Sequence, residues 1–399
     1  MAASRMAGAV PALAALLLAA CTTGSSAQPP APSSPSASSD APAVVTSPPS
    51  PSGNGGGATP SASSSPSPPP RSSRRLHLAD TVRIPLPGQT YGRGLVLWGR
   101  YAAWVGCNGC QKTFAQPGTL YVADLRTRAV RTIARTPGAP IVPVGGAGSV
   151  LVYAVGIIRE STPVWRLKTL DLSGTAARTL AGATPANGVQ GPVAVVGNGQ
   201  VAWQTFVGSG PGDQHGPVTA ADLRTGARRT LARDLPGRLA GLTRSGVIYR
   251  TEEAPDDALL LRPGRDPLVL SGTHDVSDLV VDDATVVWQT ADGGGSSLWG
   301  APLDGGTAAR QYYRGGTGDR AVGSGFLALV TAGDAPVLLM YPLAGGPVAA
   351  VGDVPGEFDS IAAEGSRLAY LALPGERGAQ PDAKHPIMLV AGTVELPTR

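Results

Sequence analysis

The amino-acid sequence predicts an all-β protein, a β-propeller of seven four-stranded blades, and two repeated motifs lead to this prediction. A short apolar strand that ends at or near an aromatic residue recurs seven times, with end points 39 to 50 residues apart. A hairpin follows most copies: an alternating strand runs into a turn related to Asp-Leu-x-Thr-Gly, and a second strand leaves it. Four-stranded units at this spacing are typical of propeller blades. Six or eight blades remain open, because the first and last copies are degenerate.

The first motif supplies the second strand of each blade. Its copies are Ala102–Trp104, Val152–Tyr153, Val201–Trp203, Val247–Tyr249, Val286–Trp288, Leu327–Leu329 and Leu368–Tyr370. Short apolar runs predict the first strand of a blade, and they are Gly94–Trp98, Pro140–Val144, Pro192–Val196 and Leu279–Val281. Beyond the N-terminal apolar segment no stretch has the apolar period of a helix, so we expect strands throughout the domain.

The second motif supplies the third and fourth strands as a hairpin. Its copies begin at Leu120, Leu167, Val218 and Leu298, with weaker ones at Leu259 and Leu338. Asp124, Asp171 and Asp222 open turns in which a carboxylate can accept hydrogen bonds from backbone N–H groups. Gly174 and Gly226 are expected to supply the positive φ that a tight turn requires. We therefore interpret these aspartates as turn caps and not as catalytic carboxylates.

The ring has to close, and the two ends of the predicted domain supply the means. We expect an N-terminal strand over Thr81–Leu86 to pair with the last blade around Ile387–Leu396. Such pairing covers strand edges that would otherwise lie open. The propeller domain is therefore assigned to residues 75–399.

The N-terminus has the form of an export signal. Arg5 precedes an apolar run over Ala7–Ala20, which is too short to span a hydrocarbon core of about 30 Å as a stable helix. The tripeptide Leu-Ala-Ala directly before Cys21 resembles the lipobox of bacterial lipoproteins. The resemblance implies that residues 1–20 are removed and that Cys21 carries a lipid on the extracytoplasmic face of the bacterial cell membrane. An ordinary secretory signal followed by an incidental cysteine is the alternative.

Residues 21–74 are predicted to form a disordered tether between the lipid and the domain. The segment consists mainly of Ser, Pro, Ala and Gly, so it cannot offset the entropy of ordering. Its proline content favours extended polyproline II, and roughly 50 residues at ~3.1 Å each reach on the order of 150 Å. We expect the tether to hold the domain away from the membrane.

The repeat spacing and the turn Asp-Leu-Arg-Thr-Gly at Asp222–Gly226 resemble the TolB-like and WD-related propellers of bacterial envelopes. The resemblance covers most of residues 95–395 and implies the propeller fold. No Trp-Asp dipeptide follows any repeat, so the partners of true WD repeats are not implied. A second resemblance, to quinoprotein dehydrogenases, is weak, because Thr230 stands where their repeats carry a tryptophan.

A propeller has two faces, and the sequence favours one of them for a binding site. The hairpin turns on one face are short and alike, whereas the loops Val105–Gly118, Phe206–Gly216, Thr251–Ala258 and Pro374–Pro386 on the other are long and polar or glycine-rich. Binding residues concentrate on variable loops held by a rigid scaffold, so we expect a site there, near the central channel. The candidate residues on this face are Asp213, His215, Glu252, Glu253, Asp256, Asp257, His274, Asp275 and His385.

Cys107 and Cys110 lie in the first of these loops. With Cys21 lipidated they form an even pair in an oxidising compartment, so a disulfide that pins the loop is the preferred interpretation. A redox-active thiol pair is the alternative, although the βαβ pattern that accompanies such motifs is missing. A zinc site would need two further ligands, with His215 or His385 converging from other blades.

The remaining candidates have a functional and a structural interpretation. The acidic run from Glu252 to Asp257 could hold Ca²⁺ or meet a basic partner, but its spacing matches no EF-hand-type loop, and a solvated acidic loop is preferred. His274 beside Asp275 would need a third group to act as an acid–base pair. The sequence has no Gly-x-Ser-x-Gly elbow, Gly-rich phosphate loop or His-Glu-x-x-His helix. No catalytic residue, metal or cofactor is therefore assigned.

Composition limits the function classes. The chain carries 32 Lys and Arg against 28 Asp and Glu, a net charge of +4, and 15% of its residues are charged, against about 25% in an average soluble domain. A nucleic-acid partner is therefore not expected. We predict a monomeric, non-catalytic binding, scaffold or sensor module for an envelope protein or glycan. The alternative is an envelope enzyme, either a glycan hydrolase or lyase or a cofactor-dependent oxidoreductase, with its site at the channel mouth.

Overall fold

The computed structural model describes residues 74–88, 91–107, 118–136, 140–159, 162–182, 193–206, 215–251, 257–270, 276–292, 295–306, 308–332, 336–352, 357–373 and 384–396. The chain divides into two units, residues 1–62 and residues 63–399, and the described residues belong to the second. Their regular elements are β-strands. Among them there is no helix with the length and apolar character needed to cross a membrane. Residues 1–73, which include Cys21, lie outside the described part.

The described residues form 29 strands. Two of them precede the first blade, and they are β1 (Arg75–Leu76) and β2 (Ala79–Pro85). Blades 1 to 3 consist of β3 (Tyr91–Trp98), β4 (Tyr101–Cys107), β5 (Thr119–Asp124), β6 (Ala129–Arg135), β7 (Ile141–Ala147), β8 (Val150–Arg159), β9 (Thr162–Asp171), β10 (Ala177–Gly182), β11 (Val193–Gly197), β12 (Gln200–Gln204), β13 (His215–Asp222) and β14 (Arg228–Pro236).

Four more blades follow along the chain. Blades 4 and 5 consist of β15 (Arg238–Thr243), β16 (Gly246–Arg250), β17 (Ala258–Leu261), β18 (Leu268–Val269), β19 (Val276–Val281), β20 (Thr285–Asp292), β21 (Gly295–Pro302) and β22 (Arg310–Arg314). Blades 6 and 7 consist of β23 (Thr317–Gly323), β24 (Phe326–Thr331), β25 (Leu338–Pro342), β26 (Ala349–Val351), β27 (Glu357–Glu364), β28 (Arg367–Leu373) and β29 (Met388–Thr393).

The blades are arranged as a ring. In blades 1 to 5 the four strands pair in chain order as an antiparallel meander, and β23–β26 of blade 6 and β27–β29 of blade 7 do the same. The first strands of successive blades contact one another in the order β3, β7, β11, β15, β19, β23 and β27, and β27 contacts β3. These strands therefore surround the central axis, and the predicted seven-bladed propeller is confirmed.

The N-terminal strand closes the ring. β2 is the fourth strand of blade 7 and lies antiparallel to β29, with Val82 opposite Ala391 and Ile84 opposite Leu389. The N–H of Leu86 continues the pairing by donating to the carbonyl of Ile387 at 2.8 Å. The predicted closure is confirmed, so the last blade combines the two ends of the domain.

The N-terminal segment also adds a strand to blade 6, which the sequence did not indicate. β1 lies parallel to β26, with Arg75 opposite Ala350 and Leu76 opposite Val351. The resulting sheet has five strands, and Leu76 is buried in the core between blades 6 and 7. The segment that enters the domain is thus held at the outer edges of two neighbouring blades.

The hydrophobic core is divided among the blade junctions. Seven clusters of buried apolar side chains each combine residues from two neighbouring blades, and together they include every junction of the ring. The repeated aromatic residue faces the preceding blade: Trp104 belongs to the cluster of blades 7 and 1, Tyr153 to that of blades 1 and 2, and Trp203 to that of blades 2 and 3. Burial of these faces is the main favourable contribution to folding.

Two kinds of connection define the two faces of the ring. The turns between first and second strands and between third and fourth strands emerge on one face, which we name the turn face. Connections between second and third strands and between successive blades emerge on the other, which we name the loop face. Asp124 Oδ1 accepts hydrogen bonds from the N–H groups of Arg126 and Thr127 at 2.9 and 3.3 Å, so its predicted role as a turn cap is confirmed.

The glycine prediction is confirmed at one position and wrong at the other. Gly226, the fourth residue after Asp222, has a φ of +74°, and Arg128 takes φ +62° at the same place in blade 1. Gly174 does not have a positive φ. It is the third residue after Asp171, where its N–H donates to the Asp171 carbonyl at 2.9 Å, and this turn conformation does not need the left-handed region.

Candidate functional site

The loop face carries four of the residues that the sequence singled out. Cys107 ends β4, His215 begins β13, Asp257 directly precedes β17 and His385 lies three residues before β29. Cys107 is buried, His215 and Asp257 are partly buried, and His385 is exposed. These four residues belong to blades 1, 3, 4 and 7, so they are distributed around the ring.

The other candidates lie outside the described residues. They are Asp213, Glu252, Glu253, Asp256, His274 and Asp275. Cys110 also lies there, so its disulfide with Cys107 stays a prediction. Within the described ranges, no group of three or more His, Cys, Asp and Glu side chains is placed to hold a metal ion.

His215 has a partner that the sequence did not indicate. Its Nδ1 lies 2.9 Å from Oδ1 of Asp234, which joins the first residue of β13 to β14. The two side chains are 45% and 66% exposed, so the contact adds only about 0–1 kcal/mol to stability. The pair therefore presents an accessible polar feature on the loop face of blade 3.

A charged group lies between blades 5 and 6 at the loop-face ends of their inner strands. Arg320 of β23 is only 6% exposed and forms an ion pair with Asp278 of β19. Its Nη1 donates to Oε1 of Gln289 at 2.7 Å, and the hydroxyl of Thr317 donates to the same oxygen at 3.0 Å. A buried guanidinium requires such partners, because an unpaired charge is costly to remove from water.

Ser360 of β27 forms contacts at the next two junctions, between blades 6 and 7 and between blades 7 and 1. Its side chain is hydrogen-bonded to Asp319 of blade 6, and its Oγ accepts the N–H of Leu95 in blade 1 at 3.1 Å. Asp319 is exposed near the loop-face end of β23. The protein packed around its carboxyl raises the pKa of that group, whereas the hydrogen bond from Ser360 and the charge of Arg320 lower it. Ser360 therefore links three blades through one hydroxyl.

In three blades, the residue that follows the repeated aromatic of the second strand forms hydrogen bonds with the next blade. Gln204 is fully buried; its Nε2 donates to the Gly237 carbonyl at 2.6 Å and its Oε1 accepts the N–H of Leu239 at 2.8 Å. Arg250 donates to the carbonyls of Val276 and Ser277. Gln289 accepts from Arg320 and Thr317 as described above. The corresponding residues of the other blades are Val105, Ala154, Val330 and Leu371.

This polar position is the signal that sequence reasoning missed. A polar residue directly after a buried aromatic breaks the apolar pattern of the second strand, and it does so in three successive blades. In the structure it fixes the loop-face end of the next inner strand. Together with Ser360, these contacts connect the loop-face strand ends of neighbouring blades from blade 3 through blade 7 to blade 1.

In blade 2 a hairpin extends beyond the first strand on the loop face. In blade 2 the pairing of β7 with β8 ends at Ile141 and Val155, whereas β8 and β9 continue as a ladder from Gly156 and Trp165 to Arg159 and Thr162. Four further pairs at a rise of roughly 3.4 Å per residue extend the hairpin by on the order of 14 Å. The hairpin thus extends past the first strand of blade 2 on the loop face.

Comparisons with known proteins support the fold. No family model matches the chain, and no curated protein matches it in sequence. The β-propeller domain of the Trilobed protease from Pyrococcus furiosus is similar in structure, with 12% identity, a TM-score of 0.53, and coverage of 76% of this chain and 93% of that chain. The Pyrococcus horikoshii acylaminoacyl peptidase is similar at 12% identity and a TM-score of 0.51, with coverage of 75% of this chain.

A third similar structure is TolB from Acinetobacter baumannii, at 14% identity and a TM-score of 0.39 over 57% of this chain. The chain spans about half the length of the last two proteins, 50% of the peptidase and 55% of TolB. At 12% identity, the likeness to the first two structures shows the β-propeller fold alone.

Proposed function

We propose that the protein is a lipid-anchored binding module of the bacterial envelope whose loop face binds an envelope protein or glycan without catalysis. The projecting β8–β9 hairpin is the observation that carries the proposal. A partner can contact both this hairpin and the inner rim, by which we mean the loop-face ends of the first strands. Hydrogen bonds between blades already hold the described strand ends of this rim in place, so this part of the contact costs little conformational entropy.

The polar groups between the blades, at the loop-face ends of their strands, support a binding role. Arg320, Gln289 and Ser360 are engaged between blades, and they hold neighbouring inner strands in register. Because these groups are bonded between blades, they preserve the shape of the surface. Accessible residues such as His215 and Asp234 then contact the partner. An interface of this type combines a rigid scaffold with a polar rim.

The anchoring half of the proposal rests on Cys21 and the residues before it. Metabolic labelling with a radioactive fatty acid tests it in cells that express the full-length chain with a C-terminal tag. We expect label on the wild type and none on Cys21→Ser, which should leave the membrane fraction because the acyl chains supply the membrane affinity. An unlabelled wild type in the soluble fraction would contradict lipid anchoring.

The binding half is tested by shortening the projecting hairpin. Val155 and Arg166 are paired opposite each other, so joining them through Asn-Gly removes residues 156–165 and retains a two-residue hairpin turn. In crosslinked cells the tagged wild type should retain one stoichiometric protein or glycan that the shortened variant loses at an unchanged melting temperature. Equal recovery with both forms would refute the role of the hairpin.

A further inference from the structure

A cavity of about 280 Å³ lies on the turn face between blades 1 and 2. Blade 1 contributes its wall from β4, β5, β6 and the turn after Asp124, and blade 2 contributes three residues. Arg100, Tyr101 and Arg131 of blade 1 and Ser149, Leu172 and Ser173 of blade 2 are among its lining residues. Small-molecule pockets measure about 300–1,000 Å³, so this cavity suits a ligand of one ring.

The charged groups that line the cavity have partners within the protein. Arg100 Nε lies 3.2 Å from Oδ2 of Asp124, and Arg131 donates to the backbone carbonyl of Leu172. A neutral ligand does not have to break the ion pair between Arg100 and Asp124, so the cavity suits a ligand without charge.

The hydroxyl groups are oriented by their partners. Ser149 and Ser173 donate to Oδ1 of Asp171 at 2.9 and 2.8 Å, so their oxygen lone pairs are left to accept. Tyr101 is the reverse case, because its oxygen accepts from Arg100 Nη2 at 2.8 Å and its own hydrogen is left to donate. The cavity therefore offers acceptors on one wall and a donor on the other.

Apolar groups supply the remaining lining. Val122, Ala129 and Leu172 also line the cavity. A ligand that fits has to carry groups that donate and accept at once, together with C–H surface that can contact these side chains. The hydroxyls and axial C–H groups of a pyranose ring have this combination.

We propose that this cavity binds one neutral sugar ring, as a second site on the face opposite to the loop face. The site does not depend on the loop-face partner, because its lining residues belong to the turns and strand ends of the other face. A single ring buried in so small a cavity gives weak affinity, in the millimolar range.

The test uses the full-length protein in a detergent without a sugar headgroup. Saturation-transfer NMR titrations are run with glucose, N-acetylglucosamine, glucuronate and inorganic phosphate. We expect saturable binding of a neutral sugar and at least about tenfold weaker binding of both anions. Preference for glucuronate or phosphate, or no saturable binding of either neutral sugar at tens of millimolar, would overturn the proposal.

Two variants locate the binding. Ala129→Trp fills the cavity, and Ala227→Trp is its matched control, because Ala227 follows Asp222 in blade 3 as Ala129 follows Asp124. We expect the dissociation constant to rise at least about tenfold for Ala129→Trp and to stay unchanged for the control. Tyr101→Phe removes only the donor hydroxyl and should weaken binding about fivefold at an unchanged circular dichroism spectrum. Unchanged sugar binding in both cavity variants would refute this site.

Discussion

Gln204 and Leu239 join blades 3 and 4 through a buried hydrogen bond of 2.8 Å, in which the side-chain Oε1 of Gln204 accepts the backbone N–H of Leu239. Both polar atoms of the Gln204 side-chain amide are hydrogen-bonded, because Nε2 donates to the Gly237 carbonyl at 2.6 Å. Gln204 has no exposed surface and Leu239 is 1% exposed. One side chain thus satisfies two backbone groups that water does not reach.

Loss of this amide is expected to destabilise the ring. Gln204→Ala leaves a buried N–H and a buried carbonyl without their partner, and each such group costs about 1–3 kcal/mol. We predict that the free energy of unfolding falls by about 2–4 kcal/mol, measured by chemical denaturation with tryptophan fluorescence.

Gln200→Ala is the matched control, because Gln200 lies at the other end of the same strand and accepts from the exposed Arg229. Its effect should stay within about 0.5 kcal/mol. Equal losses of stability in the two variants would show that the buried amide has no special role.

The closing strand gives a second prediction. Ile84 of β2 is 2% exposed and packs in the cluster between blades 7 and 1, whereas the next residue toward the N-terminus, Arg83, is exposed. Ile84→Ala should reduce the free energy of unfolding by about 2–5 kcal/mol through lost burial and the cavity left behind. Arg83→Ala should change it by less than about 0.5 kcal/mol in the same denaturation experiment. A neutral Ile84→Ala variant would contradict closure by this strand.

The turn aspartates give a prediction on pH dependence. The N–H and then the hydroxyl of Thr225 donate to Asp222 and lower the pKa of its carboxyl below the ordinary value. A lowered folded pKa means that the carboxylate stabilises the fold above its unfolded pKa, and that this contribution is lost as pH falls through the folded pKa.

Thr225→Val keeps the N–H and removes the hydroxyl, so it should shift the pKa of Asp222 upward in a ¹³C NMR titration. Thr230→Val is the control, because Thr230 lies further along the same hairpin and is exposed. An Asp222 pKa that is the same in wild type and Thr225→Val would contradict the capping contact of the hydroxyl.

Sequence reasoning predicted the fold because the periodic features have local causes. The repeated aromatic, the turn aspartates and the alternating strands each follow from nearest-neighbour backbone and packing rules, and they indicated seven blades and the closing strand. Even here Gly174 was misjudged, because one residue of displacement within a turn changes which position needs a positive φ.

The candidate site could be predicted only in part. The place of His215 and His385 in the repeat indicated the loop face, and both lie at loop-face strand ends; their role in binding stays a prediction. The contacts of Arg320 with Asp278 and of Asp319 with Ser360 join residues that are 41 or 42 positions apart, and no local pattern specifies such pairs. The order of the blades around the ring brings them together, so they emerge only once the ring is closed.

Site-specific photocrosslinking in living cells tests whether the loop face is the binding surface. A photoreactive phenylalanine replaces either His215 at the loop-face end of β13 or the exposed Arg224 at the turn of the same hairpin. We predict one discrete crosslinked product from position 215 and none from position 224. Crosslinking from position 224 alone, or from neither position, would contradict it.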